Sequence, residues 1–403
     1  MLSNRVGPPV RGGDFYGREP FIQVVADKLK VGHVLLAAPR RFGKTSVLYS
    51  LIDQPRWPYR IVHADLEHFT EPSELITRLI EQLARDDKLA RLLKDLRWLP
   101  KKIWGLFRQN VEEIELFEVR IKLKEQLRPC WQERGEELFS SVARSPETII
   151  FILDEFPMMI DRMARSKDHR AEAITLLRWL RALRQSPENG QVRFLIAGSI
   201  GIDQVLNQLR EIKSINDFET MRLEPFPPKV ASTFLDELAV SSGLALSPAS
   251  KHKMMETIGT LVPYFLQIIY SEVAKAHALE GEAITPKLIE RIYRDKVLGV
   301  DCKTYFDHYY GRLRDYYQPK EEKAVKRILR ELAVVGLLKR DHCYQFYKQV
   351  IGIRAGEDEF NRLMTDLEND FYIRFDFEQR YYEFACKLLR DWWLRHYGLE
   401  TSS

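Results

Sequence analysis

Three short stretches carry residues whose types and spacing suit phosphate chemistry. The first is Pro39-Arg40-Arg41-Phe42-Gly43-Lys44-Thr45-Ser46. Gly43 has no Cβ, so backbone N–H groups there can close on phosphate oxygens. Lys44 would reach the β- and γ-phosphates of a nucleotide, and the Thr45 hydroxyl would ligate Mg2+. A helix opening at this point adds unpaired N–H groups and the positive end of its dipole. In the GxxxxGK[ST] spacing the first glycine falls on Ala38, which is tolerable while its φ stays negative. Gly-Lys-Thr also occurs in ordinary surface turns, and the neighbouring elements are what argue against that reading here.

The second stretch is Asp154-Glu155, directly after an apolar run. An aspartate at a strand end can hold Mg2+ through water, and the adjacent glutamate can polarise an attacking water. The pair could equally be acids at the start of a helix. The third is Gly198-Ser199, again after an apolar run. Ser199 is a candidate sensor of a γ-phosphate, with a plain helix cap as the alternative.

The elements that must position these groups can be read from hydrophobic patterning. Residues 32–38 form a short apolar strand, and Val47, Leu48, Leu51 and Ile52 share one face of a following helix. Residues 59–66, 148–153 and 192–197 read as further strands. The run at 148–153 is continuous and apolar, as expected of a central parallel strand buried on both faces. In open α/β sheets ligands collect at the carboxyl ends of strands, where all three stretches fall. The expectation is an α/β fold with ATP or ADP and Mg2+ at that edge.

These pieces together resemble the archaeal-ATPase-like branch of the STAND group of AAA+ proteins. The resemblance lies in Phe15-Tyr16-Gly17-Arg18-Glu19, the Pro-Arg-Arg-Phe-Gly-Lys-Thr-Ser loop, the acidic strand, the Gly-Ser strand end and Leu223-Glu224-Pro225-Phe226, in family order. It implies a P-loop AAA+ fold, a parallel sheet flanked by helices, with a helical lid and a C-terminal winged helix. The implied division is 1–226 for the ATPase domain with a helical insert at about 72–145, 227–298 for the lid, and 299–403 for the winged-helix-like part. It further implies that Gly17 and Arg18 lie near the nucleotide, and that Pro263 touches the base. A turn glycine with a solvated arginine, and a proline at a helix start, are the plainer alternatives. The helix expected after Pro263 holds no arginine through His277, which favours a switch over a motor. Arg210 and Arg222 are the candidates for an arginine reaching a neighbouring subunit's γ-phosphate.

The remaining regions bear on partners. The segment 88–108 has seven basic residues, Lys88, Arg91, Lys94, Arg97, Lys101, Lys102 and Arg108, against Asp95, with Trp98, Trp104 and Phe107 interleaved. That mixture suits nucleic acid or a membrane surface. An amphipathic pair burying its tryptophans is favoured. Residues 115–123 alternate polar and apolar and read as an edge strand or hairpin arm. In the last hundred residues, Val325, Ile328, Leu329 and Leu332 share a helix face, Phe360 to Leu367 belong to a later helix, and 371–377 pairs with 381–384 as a wing. The segment 357–370 holds six acids against Arg362, so a contact with protein is expected there rather than with DNA.

Overall charge is +4 with 62 basic and 58 acidic side chains, which points to no partner by itself. Four cysteines show no paired spacing, no apolar leader opens the chain, and no apolar run reaches the ~18 residues of a spanning helix, so the cytoplasm is the expected site. The functional expectation is a slow ATP-hydrolysing switch that changes conformation and forms homo-oligomers, with an unknown protein partner. The alternative is a nucleic-acid-associated ATPase.

Overall fold

The structure is a computed structural model, and it describes residues 2–107, 113–198, 201–352 and 355–398. The chain divides into two compact units. One comprises Arg18–Ala38 and Val47–Leu223; the other comprises Met1–Gly17, Pro39–Ser46 and Glu224–Ser403.

The first unit is built on a five-stranded parallel sheet. In chain order it contains α1 (Glu19–Val31), β1 (His33–Ala37), most of α2 (Lys44–Asp53), β2 (Tyr59–Asp65), α3 (Pro72–Arg85), α4 (Lys101–Leu106), α5 (Glu113–Leu127), α6 (Trp131–Val142), β3 (Thr148–Asp154), α7 (Phe156–Arg165), α8 (Arg170–Gln185), β4 (Val192–Gly198), α9 (Ile202–Leu209) and β5 (Phe218–Arg222). The strand order is β2-β3-β4-β1-β5, so β4 lies between β1 and β3. The register pairs Ala37 with Gly198, Ala197 with Asp154, and Asp154 with Asp65, so four strands end level at one edge. Every residue of β3 after Thr148 is buried, as a central strand covered on both faces requires. Phe139, Phe151, Phe194 and Trp179 pack at its centre.

Residues 115–123 are not a strand. They lie within α5, with Leu123 and Leu127 buried and Leu116 and Val119 packed against the core. Those four positions repeat at helical spacing, and the alternating set was misleading because Phe117 and Ile121 face outward. Ion pairs fix the helix against α3: Glu81, almost wholly buried, is 2.7 Å from Arg120, and Glu71 is 2.7 Å from Arg128. The edge strand β5 carries Glu219, Thr220 and Arg222, which hide it from a hydrophobic reading.

The second unit holds α10 (Pro228–Ser242), α11 (Pro248–Ile258), α12 (Pro263–Glu280), α13 (Pro286–Ile292), a π-helical turn over Tyr293–Val297, and α14 (Lys303–Tyr316). Each of α10 to α13 begins on proline, the residue best suited to a first helical turn. Then come α15 (Pro319–Val335), β6 (Leu337–Lys339), α16 (Arg340–Ile351), α17 (Glu357–Asn369), β7 (Ile373–Asp376), β8 (Tyr381–Phe384) and α18 (Lys387–Tyr397). The strands form an antiparallel sheet in the order β6-β8-β7. Trp392 and Trp393 of α18 are fully buried. No helix among the described residues is long and apolar enough to cross a membrane.

Candidate active site

The loop at 38–43 leaves the carboxyl end of β1 and runs into α2 at Lys44. Two of its residues have left-handed backbone, Arg41 at φ 72° and Gly43 at φ 89°. Gly43 suits that conformation without strain. A Cβ built on Gly43 would meet nothing within 4 Å, so the backbone is open on that side, which fits the approach of a phosphate oxygen. Ala38, directly after the end of β1, is buried. Lys44 is buried at 7% exposure, and Thr45 is half-buried.

The flanking side chains of the loop are held within their own unit. Phe42, 2% exposed, meets Phe371 edge-on at 4.7 Å. The Arg41 guanidinium lies 4.7 Å over the Tyr264 ring and donates to the Gly7 carbonyl at 3.2 Å. The Ser46 hydroxyl accepts from the Val10 N–H at 3.0 Å. Arg40 contributes positive charge to a buried set on α14 and its surroundings. There Arg312 pairs with Asp370 at 3.2 Å, and burial, with the positive charge of Arg41, Arg40 and Arg312, pushes the His308 imidazole down to about 3.

In the sheet-bearing unit, β3 ends on Asp154, 5% exposed, whose Oδ1 accepts from the Glu155 N–H at 3.0 Å. Glu155 has left-handed backbone, φ 53°, and stands at the N-cap of α7, where its carbonyl accepts from the Met158 N–H. This conformation is uncommon for a glutamate, and such residues collect at functional sites. The next strand over, β4, ends on Gly198, where a Cβ would stand 2.5 Å from Pro157 Cγ. Only glycine lets β4 and α7 come this close. Ser199 lies outside the described residues. Asp65, level with Asp154, accepts from the Glu67 N–H and serves its own turn.

The other residues expected at the site fall as follows. Gly17 has φ 69°, and a Cβ there would stand 2.7 Å from Val230 and 3.3 Å from Phe226, so it is fixed both by conformation and by packing on α10. Arg18 is buried at the N-cap of α1. Pro263 is the first residue of α12, which contains no arginine along its whole length. Arg210 is exposed in the left-handed cap of α9, and Arg222 is the exposed last residue of β5. Tyr264 was not legible as part of the loop's surroundings: it stands more than two hundred residues from Arg41 in the chain, and an aromatic at a helix start carries no signal of its own.

In the insert, Leu89, Leu93, Leu96, Leu99 and Phe107 are buried and Trp98 packs on the main core beneath Arg134, 5.4 Å from its ring. Lys88 and Asp95 pair with Glu147 and Arg144. The Trp104 side chain and Arg108 lie outside the described residues.

Among solved structures, a Walker-type ATPase of Pyrococcus abyssi is similar over 96% of this chain and 99% of that one, with a TM-score of 0.62 and 17% identity. The chain has the AAA+ P-loop fold. The ORC2 protein of Aeropyrum pernix, in ADPNP–ADP complexes, is similar over 95% of this chain and 92% of that one, with a TM-score of 0.53 and 11% identity. No family model and no curated protein matches the sequence.

Proposed function

We propose that the chain binds and slowly hydrolyses ATP with Mg2+, and works as a nucleotide-dependent switch of the STAND kind. The observation that carries the reading is the strand order. The strand that runs into Gly43-Lys44-Thr45 and the strand that ends on Asp154-Glu155 flank a single strand between them, with their carboxyl ends level. Bound Mg·ATP would supply an electrophilic phosphorus whose charge the metal shares. Lys44 would hold the β- and γ-phosphates, Thr45 and Asp154 would hold the metal, and Glu155 would orient and polarise water. Pro39, Arg40, Arg41, Phe42 and Ser46 complete the loop, while Gly17, Arg18 and Pro263 are assigned to the base and ribose side. Ser199 is kept as the proposed γ-phosphate sensor.

The arginine-free α12 supports a switch over a motor. The order α15-β6-α16-α17-β7-β8 supports reading the C-terminal part as a winged helix. Its acids are largely internal: Asp370 pairs with Arg312, Asp366 is buried, and Glu368 accepts from the Phe375 N–H. Only Glu357, Asp358 and Glu359 crowd the exposed start of α17, which disfavours phosphate contact there. ADP and ATP would favour different states, the second of them oligomeric, to the extent of their differential affinity.

Two variants test the chemistry. Lys44→Ala is expected to abolish nucleotide binding. Glu155→Gln is expected to keep binding while turnover falls by about a hundredfold or more. Equal turnover in wild type and Glu155→Gln would remove the catalytic reading.

A further inference from the structure

We infer that Arg41 is a positioning residue that ties the phosphate loop to the first turn of α12, so that nucleotide affinity depends on Tyr264 as well as on the loop. The inference rests on the nucleotide-binding reading above.

Arg41 is the one position between 38 and 43 where a side chain must tolerate left-handed backbone, at φ 72°. A non-glycine residue keeps such a conformation only where its surroundings over-determine it. Two contacts do so here. The guanidinium stacks 4.7 Å over the Tyr264 ring, and Nη1 donates to the Gly7 carbonyl at 3.2 Å. Tyr264 is the second residue of α12 and is 4% exposed. Its hydroxyl is buried with no hydrogen-bond partner among the described residues, so the ring serves through its face rather than its O–H. The side chains on either side of the glycine-lysine-threonine core are committed in the same way, Phe42 to Phe371 and the Ser46 hydroxyl to the Val10 N–H.

A guanidinium used in this manner sets the path of the loop instead of meeting phosphate. The backbone amides that follow, at Phe42 and Gly43, take their direction from the kink at Arg41. The tie also gives the helical part of the chain a physical handle on the phosphate loop. Movement of the start of α12 would release the kink, and release of the kink would be felt as faster loss of nucleotide.

The test uses full-length protein and a fluorescent ADP analogue with Mg2+, reading dissociation constant and off-rate. Arg41→Ala and Tyr264→Leu are each expected to weaken binding by about five- to tenfold, mostly through off-rate, and the double variant to be no weaker than either single. Tyr264→Phe keeps the ring face and is expected to bind as wild type. Arg41→Gly accepts φ 72° without strain but lacks the guanidinium, and is expected to be as weak as Arg41→Ala. Weak binding in Arg41→Ala with normal binding in Tyr264→Leu would mean a direct phosphate contact and overturn the proposal. So would wild-type affinity in Arg41→Gly, or multiplied losses in the double variant. Melting curves without nucleotide identify any variant that fails to fold, and Tyr264→Phe carries the test if Tyr264→Leu does: loss of affinity in folded Tyr264→Phe overturns the role of the ring face. Wild-type protein that binds no nucleotide would instead remove the underlying reading.

Discussion

His33, at the start of β1, accepts a hydrogen bond on Nδ1 from the Phe194 N–H of β4 at 3.1 Å. The acceptor nitrogen must be unprotonated. Burial, then the positive charge of Arg184 and Arg193 against the opposing Asp217, pushes the imidazole down to about 4. The unfolded chain therefore takes up a proton near pH 6.5 while the folded chain resists it until about pH 4. Stability from this residue is complete above the unfolded value and declines as pH falls through that window, by up to about 3 kcal/mol. Urea unfolding should show wild type losing about 1.4 kcal/mol per pH unit more than His33→Gln, which does not titrate, between about pH 6 and 4.5, with the two proteins tracking each other above about pH 7. Parallel slopes for the two proteins would refute the assignment. Gly198 is a second residue where one atom decides. Its missing Cβ is the space occupied by the Pro157 ring. Gly198→Ala should cost about 1–3 kcal/mol, read as a lower denaturant midpoint at unchanged slope.

At the level of elements, α5 makes the sharpest claim. Ile114 and Phe117 are exposed, whereas Leu123 is fully buried. Ile114→Lys or Phe117→Lys should change stability by no more than about 0.5 kcal/mol, and Leu123→Ala should cost about 2–5 kcal/mol. A strand over 115–123 would put Phe117 and Leu123 on one face and make both substitutions costly, so denaturant titration of the two separates the conformations. The same helix shows where sequence patterning stops. Strands β1, β3 and β4 were legible because central parallel strands are continuous apolar runs ending in chemistry-bearing residues. The antiparallel pair β7 and β8 was legible from alternation on either side of a turn. The alternation in α5 came from surface apolar residues that no core demanded. Strand β5 was hidden by its charged edge, and α14 and α16 by scattered tyrosines and charges without a clean stripe. Of the candidate site, the types at 43–45 and 154–155 were readable because chemistry restricts them. The partners of Arg41 and Phe42, namely Tyr264 and Phe371, were not, because tertiary packing joins residues far apart in the chain.

For the molecule as a whole, the near balance of charge leaves nucleic-acid binding to local patches. Two patches were candidates, and the structure treats them differently. The basic insert spends its apolar side on the main core, including Trp98, so that aromatic is not free to stack on a base. Lys88, Arg91, Lys94 and Arg97 are exposed and can still meet phosphate, and part of that charge is already answered by Glu147. The C-terminal part presents Glu357, Asp358 and Glu359 at the start of α17, where a backbone phosphate would be repelled. Counterion release is what gives basic surfaces their DNA affinity, and it collapses between ~50 and ~200 mM salt when several phosphates are neutralised. A switch of the proposed kind should therefore show only weak, salt-sensitive DNA binding at low ionic strength, with turnover unchanged by added duplex at ~150 mM salt. Turnover that rises several-fold with DNA at that salt, and falls back when Lys94 and Arg97 are both changed to glutamate, would favour the nucleic-acid-associated ATPase instead. The paired substitution separates the two because charge reversal on an exposed insert alters phosphate contact without touching Lys44 or Glu155.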